Sequence, residues 1–336
     1  MIGYYVHHQG RGHLHHAQAL AAALDEPVTG LSSLARPSTW RGPWVELPRD
    51  DTTEPRHDVT AGDQLHWVPL GDPGLRSRSA AISEWIESTG PRGLVVDVSV
   101  EVALLARLHG LPVVSVVLPG RRTDPTHLLG YRASSALVAM WPAEATGMTP
   151  ALPQDVARRV VPVGAVSRLP VLSEQQRPPR SDRRHVVLLQ GLGGEPLTRL
   201  DAAELEAVSP GWTWTVLGGE AGWTDDLHQH LLNADVVVTH AGMGALADVA
   251  ACRRPAVVVP AARPHREQVT TAAALADGPW PAVVLPRFAE RGWTEVLDRA
   301  AELDGMGWAR WCDGRAAQRF AQVVAEHLLP ETLRHA

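Results

Sequence analysis

Lysine is absent from this sequence, and all 31 of its basic residues are arginine. Without a lysine amine, the chain cannot form a Schiff base with a substrate or supply the lysine of a phosphate-binding P-loop. The arginine bias accompanies many alanine, glycine and proline residues and is typical of a GC-rich, bacterial genome. It therefore indicates the source of the protein and excludes two kinds of chemistry.

Cysteine, long apolar runs and positive net charge are also missing. Cys252 and Cys312 cannot form a disulfide framework, and no Cys-x-x-Cys pair is present to hold zinc. No apolar run approaches the ~20 residues of an integral membrane segment, and the N-terminal residues lack the pattern of a secretory signal. A net charge of −6 disfavours nucleic acid as a partner. We expect a cytoplasmic protein, at most peripheral to the inner face of the membrane.

The chain has 336 residues, a length that suits two domains of ~150 residues each. Short, continuously apolar stretches alternate with amphipathic stretches, as in parallel strands that are covered by helices on both faces. The pattern starts at a strand over Ile2–Val6 and restarts at Val186–Leu189, with a glycine turn after each strand. The sequence therefore predicts an α/β protein with two doubly wound, Rossmann-like domains that face a central cleft.

The predicted boundaries follow from composition. Residues 1–171 form the first domain, and polar residues 172–184, which contain adjacent prolines, form a linker. Residues 185–305 form the second domain, and residues 306–336 contain a C-terminal helix, over Met306–Leu328, that can pack back on the first domain. Between Ser32 and Leu75 we expect irregular loops. The other predicted elements are a helix over 14–24 and strands near 45 and over 65–68, 94–98, 113–118, 136–141, 212–217, 236–239, 256–259 and 282–285.

The first glycine turn is Gly10-Arg11-Gly12-His13. Glycines let the backbone approach a ligand, and a helix start offers unpaired N–H groups to an anion. The third glycine of a dinucleotide fingerprint is missing, which disfavours a nicotinamide-dependent dehydrogenase. His13 stands at the mouth of the helix, where an imidazole can accept a proton from a hydroxyl near neutral pH. We favour this role over simple packing at the helix start.

Four further histidines crowd this region: His7, His8, His15 and His16. A metal site needs three or four converging ligands with partners behind them, and no cysteine or carboxylate accompanies these residues in the sequence. We therefore predict no metal and no cofactor. The histidines are interpreted as a polar cleft edge, with one or two of them facing solvent.

The second glycine turn contains Gly191, Gly193 and Gly194, directly after a predicted strand. It can hold a phosphate or serve as a bare turn, and the residues favour neither interpretation.

The most informative stretch runs from Ala234 to Leu275. A buried strand ends in His240, and Gly242 and Gly244 open a helix whose N-terminus suits a diphosphate. His240 can donate a hydrogen bond to that diphosphate. Asp248, further along the helix, can accept hydrogen bonds from ribose hydroxyls. Glu267 and Gln268 follow the next strand and suit the hydroxyls of a sugar, so the stretch predicts a nucleotide-sugar pocket.

The run Thr-His-Ala-Gly-Met-Gly-Ala-Leu-Ala-Asp, followed by Val-Val-Val-Pro and Glu-Gln, resembles the nucleotide-sugar signature of GT-B glycosyltransferases, in particular the MurG-like group. The opening Gly-Arg-Gly-His is similar to the N-terminal glycine loop and histidine of that group. The resemblance implies a metal-independent, inverting glycosyltransferase that moves a sugar from a nucleoside-diphosphate sugar to an acceptor hydroxyl. UDP is the expected nucleotide, with dTDP as the alternative.

The resemblance also implies roles for individual residues. His13 would activate the acceptor, and Asp97 would either orient His13 or cap the helix that follows it. Glu267 and Gln268 match the paired acidic and amide residues that bind the donor sugar in the family. The sequence departs from the family by aspartate for glutamate at Asp248 and by glutamate for glutamine, so the donor is left open. The residues expected to bind the donor are Gly10, Gly12, Gly191, Gly193, Gly194, His240, Gly242, Gly244, Asp248, Glu267 and Gln268.

Two other functions remain open on this scaffold. A nucleotide-sugar hydrolase or 2-epimerase would use the same donor pocket without an acceptor groove, and a sensor would bind the donor without catalysis. A cleft lined by Trp40, Trp44 and Trp67 would favour the transferase, and the position of His13 argues against the sensor. The acceptor can be a small molecule, a glycan or a lipid-linked compound.

Overall fold

The computed structural model describes residues 1–9, 11–52, 54, 56–176, 184–191, 196–219, 222, 224 and 226–328. Three predicted donor-binding glycines, Gly10, Gly193 and Gly194, lie outside these ranges, as do residues 177–183 of the predicted linker. Within them the chain forms two parallel β-sheets flanked by helices. The predicted α/β fold with two Rossmann-like domains is therefore confirmed.

The first sheet has seven parallel strands. Its central strands are mostly apolar, and they are buried along their whole length because helices cover both faces. In sequence order the strands are β1 (Ile2–Val6), β2 (Val28–Ser32), β3 (Trp44–Glu46), β4 (Leu94–Asp97), β5 (Val113–Val117), β6 (Ala136–Ala139) and β7 (Val160–Pro162). The helices between them are α1 (Arg11–Ala23), α2 (Pro73–Thr89), α3 (Val100–Leu108), α4 (Pro125–Ala133) and α5 (Gln154–Ala157).

The strand order in this sheet is β3-β2-β1-β4-β5-β6-β7. The chain therefore changes direction across the sheet between β1 and β4, which are direct neighbours. A crevice forms at the carboxyl ends of the strands where the order reverses in this way, and ligands of open α/β sheets bind there.

The second sheet has five parallel strands in the order β12-β11-β10-β8-β9, where β8 lies between β9 and β10 at the corresponding reversal. The strands are β8 (His185–Leu189), β9 (Thr213–Leu217), β10 (Val236–His240), β11 (Ala256–Val259) and β12 (Ala282–Val284). The helices are α6 (Ala202–Ala207), α7 (Leu227–Asn233), α8 (Met243–Ala251), α9 (Glu267–Asp277) and α10 (Trp293–Ala301).

The C-terminal part of the chain returns to the first domain. A 3-10 helix over Gly305–Arg310 is followed by α11 (Ala316–His327). Phe320 of α11 is buried, and its ring lies 6.4 Å from the ring of Tyr4 in β1. The expected continuous helix over Met306–Leu328 is wrong, because the helical segments are separated near Gly314, which has a φ of +80°.

Two other sequence predictions are wrong. Residues Leu65–Val68 form a bend and irregular backbone instead of a strand. The N–H groups of His66 and Trp67 donate to the Glu101 carboxylate instead of to a neighbouring strand. The helix expected from Leu14 begins at Arg11, so Gly12 and His13 belong to its first turn instead of to a loop. None of the helices within the described ranges is long and apolar enough to cross a bilayer.

Candidate active site

Both chain reversals bring sequence-predicted residues to the carboxyl edge of a sheet. In the first sheet, His13 follows β1 and Asp97 ends β4. In the second sheet, Gly191 follows β8 and His240 ends β10. The parallel strand order thus gathers residues that are distant in sequence, and it does so where a doubly wound sheet offers its binding crevice.

His13 is paired with Asp97. His13 Nδ1 lies 2.9 Å from Asp97 Oδ1, and the Asp97 side chain is fully buried while His13 stays partly exposed. Two more groups hold the other carboxylate oxygen: the Tyr4 hydroxyl donates to Oδ2 at 3.2 Å, and His16 Nδ1 lies 3.4 Å from the same atom. Asp97 is therefore fixed from three sides, and it orients the His13 ring so that Nε2 points away from it.

The electrostatics suit a base. Burial by itself lowers the pKa of His13, but the adjacent Asp97 carboxylate outweighs burial and the pKa is raised above its usual 6.5. Burial by itself raises the pKa of the Asp97 carboxyl, but the His13 and His16 side chains hold that pKa well below its usual range. Asp97 is thus ionised at neutral pH and stabilises a proton on His13.

The turn after Asp97 is strained. Val98 has a φ of +73°, which is unfavourable for a β-branched residue. Ser99 then caps α3, since its Oγ accepts from the N–H of Val102 at 3.2 Å. Asp97 is consequently not the cap of α3, and its carboxylate pairs with His13 and His16 instead. Strain of this kind persists where the surroundings fix it and is common at active sites.

The neighbouring histidines occupy different environments. The His7 ring lies 5.8 Å from the His13 ring, and burial lowers the pKa of His7 to about 4. Burial also lowers the pKa of His15 to about 4. His16 is 8% exposed, so it is not among the one or two histidines expected to face solvent. His16 lies one turn after His13 on the same helical face and reaches the same carboxylate.

The described residues contain two groups of three side chains with the spacing of metal ligands: His66, Asp124 and His127 in one, and His8, Asp50 and Asp51 in the other. In both groups the carboxylates already have partners. Asp124 accepts from both histidines of its group and caps α4, while Asp50 and Asp51 form ion pairs with arginines. These acids therefore balance charges and hydrogen bonds of the protein itself.

In the second domain, the N-terminus of α8 is open. Gly242 precedes the helix and Gly244 lies in its first turn, and a Cβ atom built on Gly244 would meet nothing within 4 Å. The N-cap residue, Gly242, makes no side-chain hydrogen bond to the start of this helix. The first N–H groups are therefore accessible to an anion, which the helix dipole also favours.

His240 lies beside this helix end with both ring nitrogens unpartnered. The residue is 5% exposed, and neither Nδ1 nor Nε2 finds a hydrogen-bond partner among the described residues. Burial and the nearby Arg263 lower the pKa of His240 to about 4, so the ring is neutral at neutral pH. A neutral imidazole carries one N–H donor, and a buried unpaired donor costs about 1–3 kcal/mol unless a ligand satisfies it.

Gln268 approaches the same helix end. Its Oε1 accepts from the N–H of Ala261 at 2.9 Å, and its Nε2 would lie 3.6 Å from a Cβ atom on Gly242. Gly191 faces His240, since a Cβ atom on Gly191 would meet the His240 ring at 3.8 Å. The structure therefore gathers Gly191, His240, Gly242 and Gln268 around one space at the carboxyl edge of the second sheet.

Asp248 lies elsewhere on α8. It is 2% exposed, and its two carboxylate oxygens accept from Ser167 Oγ at 2.9 Å and Arg168 Nε at 2.7 Å. Both partners follow β7, so Asp248 ties the second domain to the end of the first. A ribose that donated to this carboxylate would share it with Ser167 and Arg168.

A cavity of about 710 Å³ opens in the first domain next to His7 and to the Val98 turn. Trp67 lines it, whereas Trp40 and Trp44 pack against each other with a ring distance of 5.2 Å and belong to the core instead. Of the three tryptophans whose presence in a cleft would favour the transferase, one, Trp67, lines this cavity. Much of the wall is apolar, with Leu65, Trp67, Leu75, Ile82, Leu104 and Leu105 among its residues.

The carboxylates in this wall already have partners within the protein. Asp50 is paired with Arg78, and Asp51 accepts two hydrogen bonds from Arg49. Glu101 accepts from two backbone N–H groups. The cavity thus presents apolar surface and satisfied charges, which favour a neutral, largely apolar ligand.

One segment of the second domain is similar to a known family. Residues 220–279 match the Glycosyltransferase family 28 C-terminal domain. No curated protein sequence matches the chain. MurG of Acinetobacter baumannii is 16% identical with a TM-score of 0.65, over 97% of this chain and 99% of that one. The glycotransferase of kitacinnamycin is 18% identical with a TM-score of 0.67, over 98% of both chains.

A third similar structure is a UDP-glucosyltransferase from Polygonum tinctorium, 15% identical with a TM-score of 0.62 over 98% of this chain and 99% of that one. Likeness at such identity establishes the fold, and it extends over nearly the whole length of each chain. The chain has the GT-B glycosyltransferase fold. The predicted resemblance to MurG-like GT-B glycosyltransferases is confirmed, and the family 28 match supports the predicted class of enzyme, a glycosyltransferase.

Some residues of this GT-B cleft escaped the sequence analysis. Arg122 of the first domain reaches Glu267 of the second, with Nη2 lying 3.3 Å from Oε2. Behind Arg122 stand His127 and Asp124. The Asp-Pro start of α4 was a visible helix signal, but no local pattern marks Arg122 as a residue of the cleft. His16 was visible by its spacing of three residues from His13.

Proposed function

We propose that this protein transfers a sugar from a nucleoside-diphosphate sugar to a hydroxyl group of a neutral, largely apolar small molecule. The unpartnered His240 beside the open N-terminus of α8 carries the donor half of this proposal. The His13–Asp97 pair carries the acceptor half. The Arg122–Glu267 contact joins the two domains across the cleft, and both of these groups influence the pKa of His13.

The reaction follows from these positions. His13 Nε2 takes the proton of the acceptor hydroxyl, and the oxygen forms a bond to the anomeric carbon while the bond from that carbon to the diphosphate breaks. The diphosphate leaves with the electron pair, stabilised by the amides at the start of α8 and by His240. Asp97 stabilises the imidazolium that forms. A single displacement inverts the anomeric centre, and this scheme needs no metal ion.

The donor half can be tested by thermal shift with UDP, dTDP, GDP and their sugars, with and without magnesium. A ligand at a hundredfold excess over its Kd stabilises the native state by about 2.7 kcal/mol. We expect one nucleoside diphosphate, UDP in the first instance, to raise Tm without magnesium. His240→Phe should weaken this shift, whereas His230→Phe in α7 should retain it. No shift with any nucleotide would refute the donor proposal.

The acceptor half rests on the apolar cavity. The similar Polygonum tinctorium enzyme glucosylates indoxyl, and a cavity of about 710 Å³ is within the usual range for a drug-sized ligand. This cavity favours a transferase over a hydrolase or 2-epimerase, neither of which needs an acceptor site.

Leu104→Trp should fill part of this cavity. We expect the KM for a hydroxylated aromatic acceptor, such as a naphthol, to rise at least tenfold with little change in nucleotide affinity. The loss of about 1.4 kcal/mol of apolar contact is enough to cause a tenfold change. Leu129→Trp, at an exposed position of α4, is the matched control. Equal turnover with monosaccharides as acceptors, and an unchanged KM in Leu104→Trp, would show that acceptors bind elsewhere.

A further inference from the structure

One arginine of the first domain spans the cleft. Arg122, in the segment between β5 and α4, is 5% exposed and uses all of its guanidinium nitrogens. Its Nε donates to the carbonyl of Pro119 at 3.2 Å, its Nη1 lies 3.1 Å from His127 Nε2, and its Nη2 donates to Glu267 Oε2 at 3.3 Å. A buried arginine held at three points has little freedom to move, so the position of Glu267 depends on it.

The residues behind Arg122 fix its orientation. Arginine only donates hydrogen bonds, so His127 Nε2 must accept and the hydrogen of the neutral ring must be on Nδ1. That Nδ1 lies 2.6 Å from Asp124 Oδ2, and the N–H of His127 donates to Asp124 Oδ1. Burial lowers the pKa of His127 to about 4, so the ring is neutral at neutral pH. Its protonated Nδ1 is then unavailable to a metal ion, which leaves Asp124-His127-Arg122 as a hydrogen-bonded relay.

Glu267, the residue that Arg122 contacts in the second domain, directly follows a strained turn. His265 and Arg266, directly before Glu267, have φ values of 55° and 57°, a conformation that non-glycine residues rarely adopt. The first domain also contacts this turn directly. The N–H of Arg121 donates to the carbonyl of His265 at 2.7 Å, and the ring of His265 lies 4.8 Å from that of His127.

The approach is so close that a side chain at Gly120 would not fit. A Cβ atom on Gly120 would lie 2.4 Å from the carbonyl oxygen of His265, and Gly120 also has a φ of +111°. The first domain therefore contacts both the backbone before Glu267 and the Glu267 carboxylate. The second carboxylate oxygen, Oε1, takes no hydrogen bond from the described residues and is left for a ligand.

We propose that Arg122 is a positioning residue that holds Glu267 for the sugar of the donor, so that the first domain completes the sugar site of the second. This inference rests on the proposed function. It separates the two parts of the donor: the diphosphate is bound by second-domain groups at α8, whereas recognition of the sugar hydroxyls requires both domains.

The test compares two affinities in each variant by titration calorimetry, for the nucleoside diphosphate and for its sugar conjugate. Arg122→Met should lower the affinity for the sugar conjugate about 10- to 100-fold, the size expected for a lost charge-assisted hydrogen bond. The affinity for the nucleoside diphosphate should stay within about twofold of the wild-type value. Arg122→Lys should restore part of the loss, because one amine can reach Glu267 but cannot keep all three contacts. Arg132→Met, at an exposed arginine of α4 that is paired with Asp155, is the matched control and should leave both affinities unchanged.

A double variant strengthens the test. Glu267→Gln combined with Arg122→Met should lose no more sugar affinity than Glu267→Gln alone, since both changes remove the same interaction. The inference would be overturned if Arg122→Met and Arg122→Lys lowered the affinities for both ligands equally, or lowered neither affinity. Failure of the wild-type protein to bind any nucleoside diphosphate would instead overturn the proposed function, so the two failures are distinguishable.

Discussion

Replacing His13 with alanine is expected to lower kcat for sugar transfer by about 10²- to 10⁴-fold, the usual contribution of a general base. The nucleoside diphosphate should bind as in the wild type, because its expected contacts at His240 and α8 lie in the other domain. Initial rates with saturating donor and acceptor, together with nucleotide titration, measure both quantities. His109→Ala, at the exposed end of α3, provides the control.

The result also separates the competing functions. A protein that only senses nucleotide sugars has no turnover to lose, so a wild type without turnover would contradict the transferase. Retained turnover in His13→Ala would show that another group takes the proton. The nearest titratable ring is His7, whose pKa burial lowers to about 4. It is a weaker base than His13, and His7→Ala should therefore reduce kcat much less than His13→Ala.

Residues next to strand ends were predictable from the sequence. His13 and His240 follow buried strands and precede helices, and in a parallel sheet every such junction lies on the same edge. The second domain matched expectation well for this reason: β11, for example, has the predicted bounds. A strand-turn-helix unit is formed by residues that are close in sequence, so the local sequence determines its geometry.

The fold of the segment before β4 was less predictable. Helix α2 has clear end signals, with Asp72 as the N-cap, Pro73 in the first turn and Gly90 at the C-cap. Its interior, however, mixes serine, arginine and glycine with few apolar residues, and one of its four buried residues is the charged Arg78. The weak periodicity hid the helix, although both caps were visible.

Contacts across the cleft could not be predicted from the sequence. Arg122 and Glu267 are 145 positions apart, and their approach depends on how two separately folded domains face each other. The same holds for Asp248, whose partners Ser167 and Arg168 belong to the end of the first domain. Sequence patterns report which edge of a sheet a residue occupies, whereas pairing between domains is a property of the assembled chain.

Asp97→Asn is expected to change both the rate and its pH dependence. In the wild type the Asp97 carboxylate raises the pKa of His13 above 6.5, although burial alone would lower it. Activity that requires unprotonated His13 should therefore rise as pH increases through a value above 6.5. In Asp97→Asn the carboxylate is gone and burial remains, so the pKa of His13 falls below 6.5 and the rising limb moves to lower pH.

The plateau of this profile should fall by about 10²- to 10⁴-fold, because an uncharged amide neither stabilises the imidazolium nor holds the ring in the required tautomer. Profiles of kcat from pH 5.5 to 9 measure both effects, and Asp155→Asn, an exposed acid in α5, serves as control.

A lower plateau with an unmoved limb would mean that Asp97 only supports the fold around Tyr4 and His16. A moved limb with an unchanged plateau would mean that His13 titrates beside Asp97 without acting as the base. Only the combination of a moved limb and a lowered plateau identifies the pair as the group that accepts the proton.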